Sequence, residues 1–307
     1  MEIYGKNLSK DLREKLKANY CINMPKIVEI YKSKIDGTRK YLFQMQDGSI
    51  IESVLMKYNH GNSVCISSQV GCRMGCKFCA STIDGLERNL LPSEMLGQIY
   101  TIQKHLGERI SNIVIMGSGE PFDNFDNFNK FVKLITSENG LNISSRNITV
   151  STCGLVDRII QLADMKLQIT LAISLHSPND ELRRTIMPIA NKYSINQIIE
   201  ACRYYFEKTG RRITFEYSLI EGVNDSEAQA MELIDLVKGL NCHINLIPVN
   251  PIKERDYRHS SKEYIKKFQN ILEKNRINAT IRREMGADIN AACGQLRKSY
   301  IDEYSKN

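Results

Sequence analysis

With 307 residues, 42% of them hydrophobic and 25% charged, the chain has the balance of a folded globular protein and room for one large α/β barrel or two smaller domains. Its apolar runs are too short to span a bilayer, and residues 1–16 lack the apolar core of a secretory leader, so a cytoplasmic protein is expected. The net charge of +7 is concentrated at the ends: residues 1–40 carry ten Lys/Arg against five Asp/Glu and residues 251–307 carry thirteen against eight, which leaves the middle at −3. Basic flanks around an acidic body suit contact with a polyanion, and they equally suit Lys-rich solvated helices.

In chain order, residues 7–18 read as a short helix, and 27–32, 39–45 and 50–57 as strands, with Asp47-Gly48 a hairpin turn. From residue 63 the pattern alternates. Strands are expected at 63–67, 112–116, 146–150, 168–174, 212–220 and 243–249, and helices at 93–106, 124–137, 155–163, 194–208 and 226–239. Ser93 is the expected N-cap of the first of these helices. A helix at 261–275 and a strand at 278–283 complete the pattern. Alternation of this kind predicts parallel strands joined by crossover helices. The fold class is therefore α/β: a partial (β/α)6 barrel, with a small antiparallel β element before it and a C-terminal extension after it. A flat sheet has the same periodicity. The expected division is 1–60 for the N-terminal region, 61–255 for the barrel and 256–307 for the extension.

The segments just after the strands are informative. GSGEP (117–121), STCG (151–154), SLHSPND (174–180), EGVND (221–225) and NP (250–251) are polar or Gly-rich, and they stand at the carboxyl ends of successive strands. That rim is where β/α barrels bind ligands.

The chain holds nine cysteines, an odd number that cannot all pair within one chain. Clustered cysteines in a reducing compartment read as metal-binding or catalytic. Cys72, Cys76 and Cys79 form a C-x3-C-x2-C motif directly after the first barrel strand. Three thiolates can ligate three irons of a [4Fe–4S] cluster, leaving the fourth iron open. A zinc site wants four Cys/His ligands, and a chance group of buried cysteines is the other alternative.

At these residues the chain resembles the radical S-adenosylmethionine (SAM) superfamily, and within it the RlmN/Cfr family of RNA adenosine methyltransferases. The match includes CISSQVGCRMGCKFCAST, GLERNL, IMGSGEPFDNFDN, ITVST, AISLHSPNDELR, FEYSLIEGVND, NLIPVNP and TIRREMGADINAACGQL, in collinear order from residue 7 to 297. GEP and NLIPVNP resemble the RlmN type; Cfr-type chains tend to carry GEA and NLIRYNP. The resemblance implies cluster ligation by Cys72, Cys76 and Cys79. It implies contact of Gly119 and Glu120 with the amino end of SAM, and a lining of Ser151, Ser174, Leu175, His176 and Asn250 for the rest of that site. Cys293 would carry the methyl group, Cys65 would form a transient disulfide with it, and Glu52 would accept a proton.

The implied activity is 2-methyladenosine formation in 23S ribosomal RNA, with transfer RNA a further candidate, so the implied keywords include rRNA and tRNA processing. The implied donor of electrons is a flavodoxin or ferredoxin, and a monomer working off the membrane is expected. Cfr-like methylation at C8, another RNA target, and a non-catalytic iron–sulfur RNA-binding or redox-sensing protein are the alternatives. Read on their own, Cys65 also suits core packing, Glu52 a solvent-facing strand position and His176 a satisfied core histidine. Cys21, Cys153, Cys202 and Cys242 read as structural, although Cys153 stands where the family usually has Ser. Ser118 replaces the family's hydrophobic residue in GxGEP. The family's helical domain ahead of NLSKDLREKL is expected to be shortened, since that segment begins here at residue 7.

Overall fold

The computed structural model describes residues 8–20, 24–252, 254–292 and 294–295. Helix α1 (Lys10–Asn19) leads into a meander of β1 (Lys26–Lys32), β2 (Arg39–Gln44), β3 (Ile50–Tyr58) and β4 (Gly61–Cys65). A two-stranded ribbon of β5 (Gln69–Gly71) and β6 (Leu86–Asn89) brackets the cysteine loop. The alternating part comprises α2 (Pro92–Leu106), β7 (Ile110–Ile115), α3 (Phe125–Ile135), β8 (Ile148–Thr152), α4 (Val156–Asp164) and β9 (Thr170–Ser174). It continues through α5 (Asp180–Ile186), α6 (Ile195–Thr209), β10 (Ile213–Leu219), α7 (Glu227–Val237), β11 (Cys242–Pro248), α8 (Lys262–Lys274) and β12 (Ala279–Ile281).

One ten-stranded sheet runs β1-β2-β3-β4-β7-β8-β9-β10-β11-β12. Pairing is antiparallel through β4, with Tyr41 opposite Ser53 and Val54 opposite Cys65, and parallel from β4 onward. The α/β partial barrel with an antiparallel element ahead of it is what the sequence predicted. The structure adds that the element shares the barrel's own sheet through β3 and β4. The strand expected at 278–283 is present as β12, and the structure adds that it pairs Ala279 with Ile244 as a seventh parallel strand. The ribbon of β5 and β6 and the short α5 were not expected from the sequence.

Period-two alternation sorts the strands. In β8, Ile148 and Val150 are fully buried against the helical layer while Thr149 and Ser151 are only partly covered. The same apolar core takes in Ile113 and Ile115 of β7, Leu171 and Ile173 of β9, and Phe128 and Phe131 of α3. Each such side chain contributes about 2 kcal/mol by leaving water. Helix ends follow local chemistry. Ser194 and Gln197 cap α6 reciprocally, and Gly210 stops it with φ 65°. The expected N-cap at Ser93 is displaced. Leu91 occupies that position, Pro92 opens the helix, and Leu91 N–H donates to the Glu94 carboxylate at 2.8 Å. Among the described residues no helix is long and apolar enough to cross a membrane.

Candidate active site

The rim loops close around a cavity of about 910 Å³, open solvent included. Its wall depends on how tightly β4 and β7 meet beyond their ends. Gly117 N–H donates to Ile66 O at 3.0 Å, and Ser118 O accepts from Ser68 and Gln69 N–H at 2.9 and 3.1 Å. A Cβ on Gly117 would stand 2.7 Å from the Ile66 carbonyl. Gly119 has φ +103°, and a Cβ there would lie 2.5 Å from Cβ of Gln69. Only glycine fits these two places. A buried amide locks the same corner: Gln98 Oε1 accepts from Ser53 Oγ at 2.7 Å and from Ser67 N–H at 2.9 Å.

Cys72, Cys76 and Cys79 all line this cavity. Their loop is fixed by backbone contacts: Cys72 N–H to Gly85 O at 2.9 Å, Lys77 N–H to Ile186 O at 2.9 Å, and Ala80 N–H to Gly294 O at 2.8 Å. Thr82 Oγ1 donates to the carbonyls of Cys76 and Cys79 at 3.0 and 2.9 Å, and Arg73 pairs with Asp123. No disulfide joins any two of the described cysteines. Burial pushes the Cys72 thiol up to about 12, helped by the negative charge of Cys79, Glu120 and Asp123, and burial pushes Cys76 well above its ordinary value. These thiols stay protonated until a metal displaces the protons. Among the described residues no three Cys, His, Asp or Glu side chains close on a single ion. Three thiols around an open volume fit a multi-iron cluster instead, which carries each cysteine on a different iron.

The other rim positions converge here. Glu120 is 4% exposed; its Oε1 accepts from Phe122 N–H at 2.9 Å and its Oε2 from Cys153 N–H at 2.8 Å. Burial raises its pKa against the pull of these bonds. Ser151 and Ser174 share a hydroxyl bond of 3.2 Å, and both line the cavity with Gly119 and Asn250. His176 does two things at once. Its Nδ1 accepts from Ser218 N–H at 2.9 Å, so the ring proton sits on Nε2, and burial holds its pKa down at about 3. Phe78 packs edge-on against the ring at 4.8 Å between centroids. It is therefore a buried histidine, held at Nδ1, that also faces the cavity. Leu175 is fully buried and is not a lining residue; its carbonyl accepts from Arg183 Nε at 3.1 Å.

A family model described as the radical SAM superfamily matches residues 66–234. A protein of Lachnospira eligens named "Probable dual-specificity RNA methyltransferase RlmN" is 66% identical over 303 residues, 98% of this chain and 86% of that protein. A protein of the same name from Lachnoclostridium phytofermentans is 65% identical over 297 residues, 97% of this chain and 83% of that protein. The chain belongs to the RlmN family of the radical SAM superfamily. The crystal structure of a radical SAM methyltransferase from Sphaerobacter thermophilus superposes with a TM-score of 0.91 at 46% identity, covering 95% of this chain and 86% of that one. Family membership brings two cofactors, a [4Fe–4S] cluster and SAM.

Two further positions singled out from the RlmN resemblance, Glu52 and Cys65, do not line the main cavity. Glu52 is 1% exposed, so the solvent-facing reading of it does not hold. It lines a second cavity with Ser118, Ser81 and Glu87, and pairs with Lys40 at 3.4 Å. Cys65 packs with Val54, Met56, Met285 and Ala291 in a small apolar cluster. Cys293 lies outside the described residues. Of its neighbours, Ala291 belongs to the cluster around Cys65, and Gly294 lines the main cavity. The segment before Cys293 is clasped by the β1–β2 turn: Gly286 N–H donates to Asp36 Oδ2 at 2.9 Å, Lys34 N–H to Asp288 Oδ2 at 2.9 Å, and Lys40 Nζ to Asn290 O at 3.3 Å.

Sequence reasoning missed Glu216 and Arg282, which line the main cavity and pair at 3.3 Å, with Asn245 Nδ2 donating to the Glu216 carboxylate at 3.0 Å. A carboxylate inside the apolar strand RITFEYSLI was the available signal. Cys153, read as structural, also lines the cavity.

Proposed function

We propose that this chain methylates C2 of adenosine in RNA, with 23S ribosomal RNA and transfer RNA as substrates. The reading rests on the relatives named dual-specificity RNA methyltransferases and on one observation above the rest: three thiols and the rim residues Glu120, Ser151, Ser174, His176 and Asn250 converge on a single cavity. In this reading Cys72, Cys76 and Cys79 hold the cluster. Gly119 and the backbone-pinned Glu120 receive the ammonium end of SAM. Ser151, Ser174, His176 and Asn250 line its remainder, and Leu175 acts through its backbone.

When bound, the cluster and SAM supply one-electron chemistry able to functionalise a carbon that is a poor nucleophile. The protein's own part is covalent relay. Cys293 accepts the methyl group on sulfur and carries it to the base. Glu52 takes the proton that the base must lose. Cys65 attacks the Cys293 sulfur, which frees the product and leaves a disulfide to be reduced. A flavodoxin- or ferredoxin-class protein would deliver the electron.

The test is anaerobic reconstitution with iron and sulfide, then incubation with reductant, SAM and RNA from a strain lacking this methylation. Nucleosides are then read by mass spectrometry. 2-Methyladenosine is expected, and Cys293→Ala should abolish it. 8-Methyladenosine, or SAM cleavage without any methylated RNA, overturns the assignment.

A further inference from the structure

Beneath the cysteine loop lies a buried cation that meets no described carboxylate in a salt bridge, although Asp180 adds a favourable field from the same helix. Arg183, on α5, is 0% exposed. Its Nε donates to Leu175 O at 3.1 Å, and its Nη2 to Cys153 O at 2.7 Å and Ser174 O at 3.3 Å. Nη1 is buried and makes no hydrogen bond among the described residues. No described carboxylate pairs with the guanidinium either. Arg stays charged in proteins, and leaving a buried charge unpaired is costly. Three strand-end carbonyls offset part of that cost; an apolar side chain would avoid it.

The position explains what the charge faces. Cys76, Cys153, Ile186 and Met187 pack together as one apolar group around the end of α5. Ile186 O takes the Lys77 N–H, which fixes α5 against the loop between Cys76 and Cys79. Cys153 joins two opposite charges through one residue: its N–H donates to Glu120 and its carbonyl accepts from Arg183. The buried acid is thus held toward the cavity and the buried base behind Cys153, which packs with Cys76. At Cys76 the positive field of Arg183 opposes that of Glu120 and those of Cys72 and Cys79 once these are thiolates.

We propose that Arg183 is a positioning residue that acts as the fixed countercharge of the cysteine loop, setting how readily a cluster held by Cys72, Cys76 and Cys79 takes up an electron. It rests on the reading that those cysteines hold the cluster. A cluster on three thiolates is anionic, and reduction adds one more negative charge. A fixed cation in a low-dielectric site favours the more negative state.

The experiment is a redox titration, followed by electron paramagnetic resonance, of reconstituted wild-type, Arg183→Lys and Arg183→Gln proteins, with iron measured in each. The glutamine keeps donors for the carbonyls but removes the charge. Its reduction equilibrium should fall at least tenfold, a shift of about 59 mV toward negative potential for one electron. The lysine variant should stay near wild type. An Arg183→Gln protein with full iron and an unmoved potential overturns the proposal. Should glutamine abolish iron binding, full iron and a near-wild-type potential in Arg183→Lys support it, and loss of iron in both variants overturns it. Failure of the ligand reading is seen separately, as full iron in Cys76→Ala.

Discussion

The two sides of the GSGEP turn bury a carboxylate each, and they hold it in opposite ways. Glu120 is pinned by two backbone N–H groups, from Phe122 and Cys153. Glu52 is held by a flexible side chain, Lys40, which also reaches the carbonyl of Asn290. Backbone dipoles fix the Glu120 carboxyl without a countercharge while burial raises its pKa, so a ligand cation is the partner that would hold it ionised. A lysine neutralises, so Glu52 is bound into the contact between the β1–β2 turn and the C-terminal loop. One acid belongs to a ligand-ready wall, the other to a joint.

The largest test of this contrast is Lys40→Met. Removing the cation leaves Glu52 buried without its ion pair and should cost about 3 kcal/mol in urea unfolding. Most of that loss should return in Lys40→Met/Glu52→Leu; no recovery in the double variant would show that Lys40 acts by packing alone.

Next is Gly119→Ala, which forces a Cβ to 2.5 Å from Gln69 at φ +103°. About 3 kcal/mol of destabilisation is expected, and an unchanged unfolding midpoint would mean the turn yields more easily than its contacts imply.

Glu120→Gln should leave stability nearly intact while weakening SAM binding about 100-fold in equilibrium dialysis of reconstituted protein, close to ~2.7 kcal/mol. Unchanged affinity would remove Glu120 from the ligand wall.

The smallest effect is at Asp36. Burial pushes its carboxyl up, but hydrogen bonds from Gly286, Thr38 and Ser33 outweigh that and bring its pKa to about 2. The folded value lies below the ordinary 3.8, so the stabilisation is present above that pH and is lost as pH falls toward 2. After solvent screening it amounts to about 1 kcal/mol. Wild type and Asp36→Ala should differ by that much in urea at about pH 6 and converge near pH 2; a gap that persists in acid would deny the carboxylate its role.

What the sequence revealed was local. Cys72, Cys76 and Cys79 are legible because their spacing is the signal, and the barrel strands because alternation is repeated six times. Segments of three or four residues such as β5 and β6 carry no such period. Through-space partners were invisible for another reason. Arg183 in DELRRTI carries no sign of burial in a segment where no helix was expected, and Lys40 reads as a basic strand residue near the N-terminus. Nothing in the neighbourhood of Lys40 announces that the chain returns 250 residues later to meet it. Ser93 failed as an N-cap because the helix opens earlier, at Pro92, where proline needs no N–H partner.

The clasp between Asp36 and Gly286, and between Lys34 and Asp288, spans 250 and 254 residues of chain. At translation rates of about 5–20 residues per second, the hairpin leaves the ribosome roughly 12–50 s before its counterpart is made. The turn therefore waits, with its polar groups solvated, for the segment at 286–288. The protein is assembled in such an order that the segment bearing Cys293 can be seated only after every barrel strand has been made.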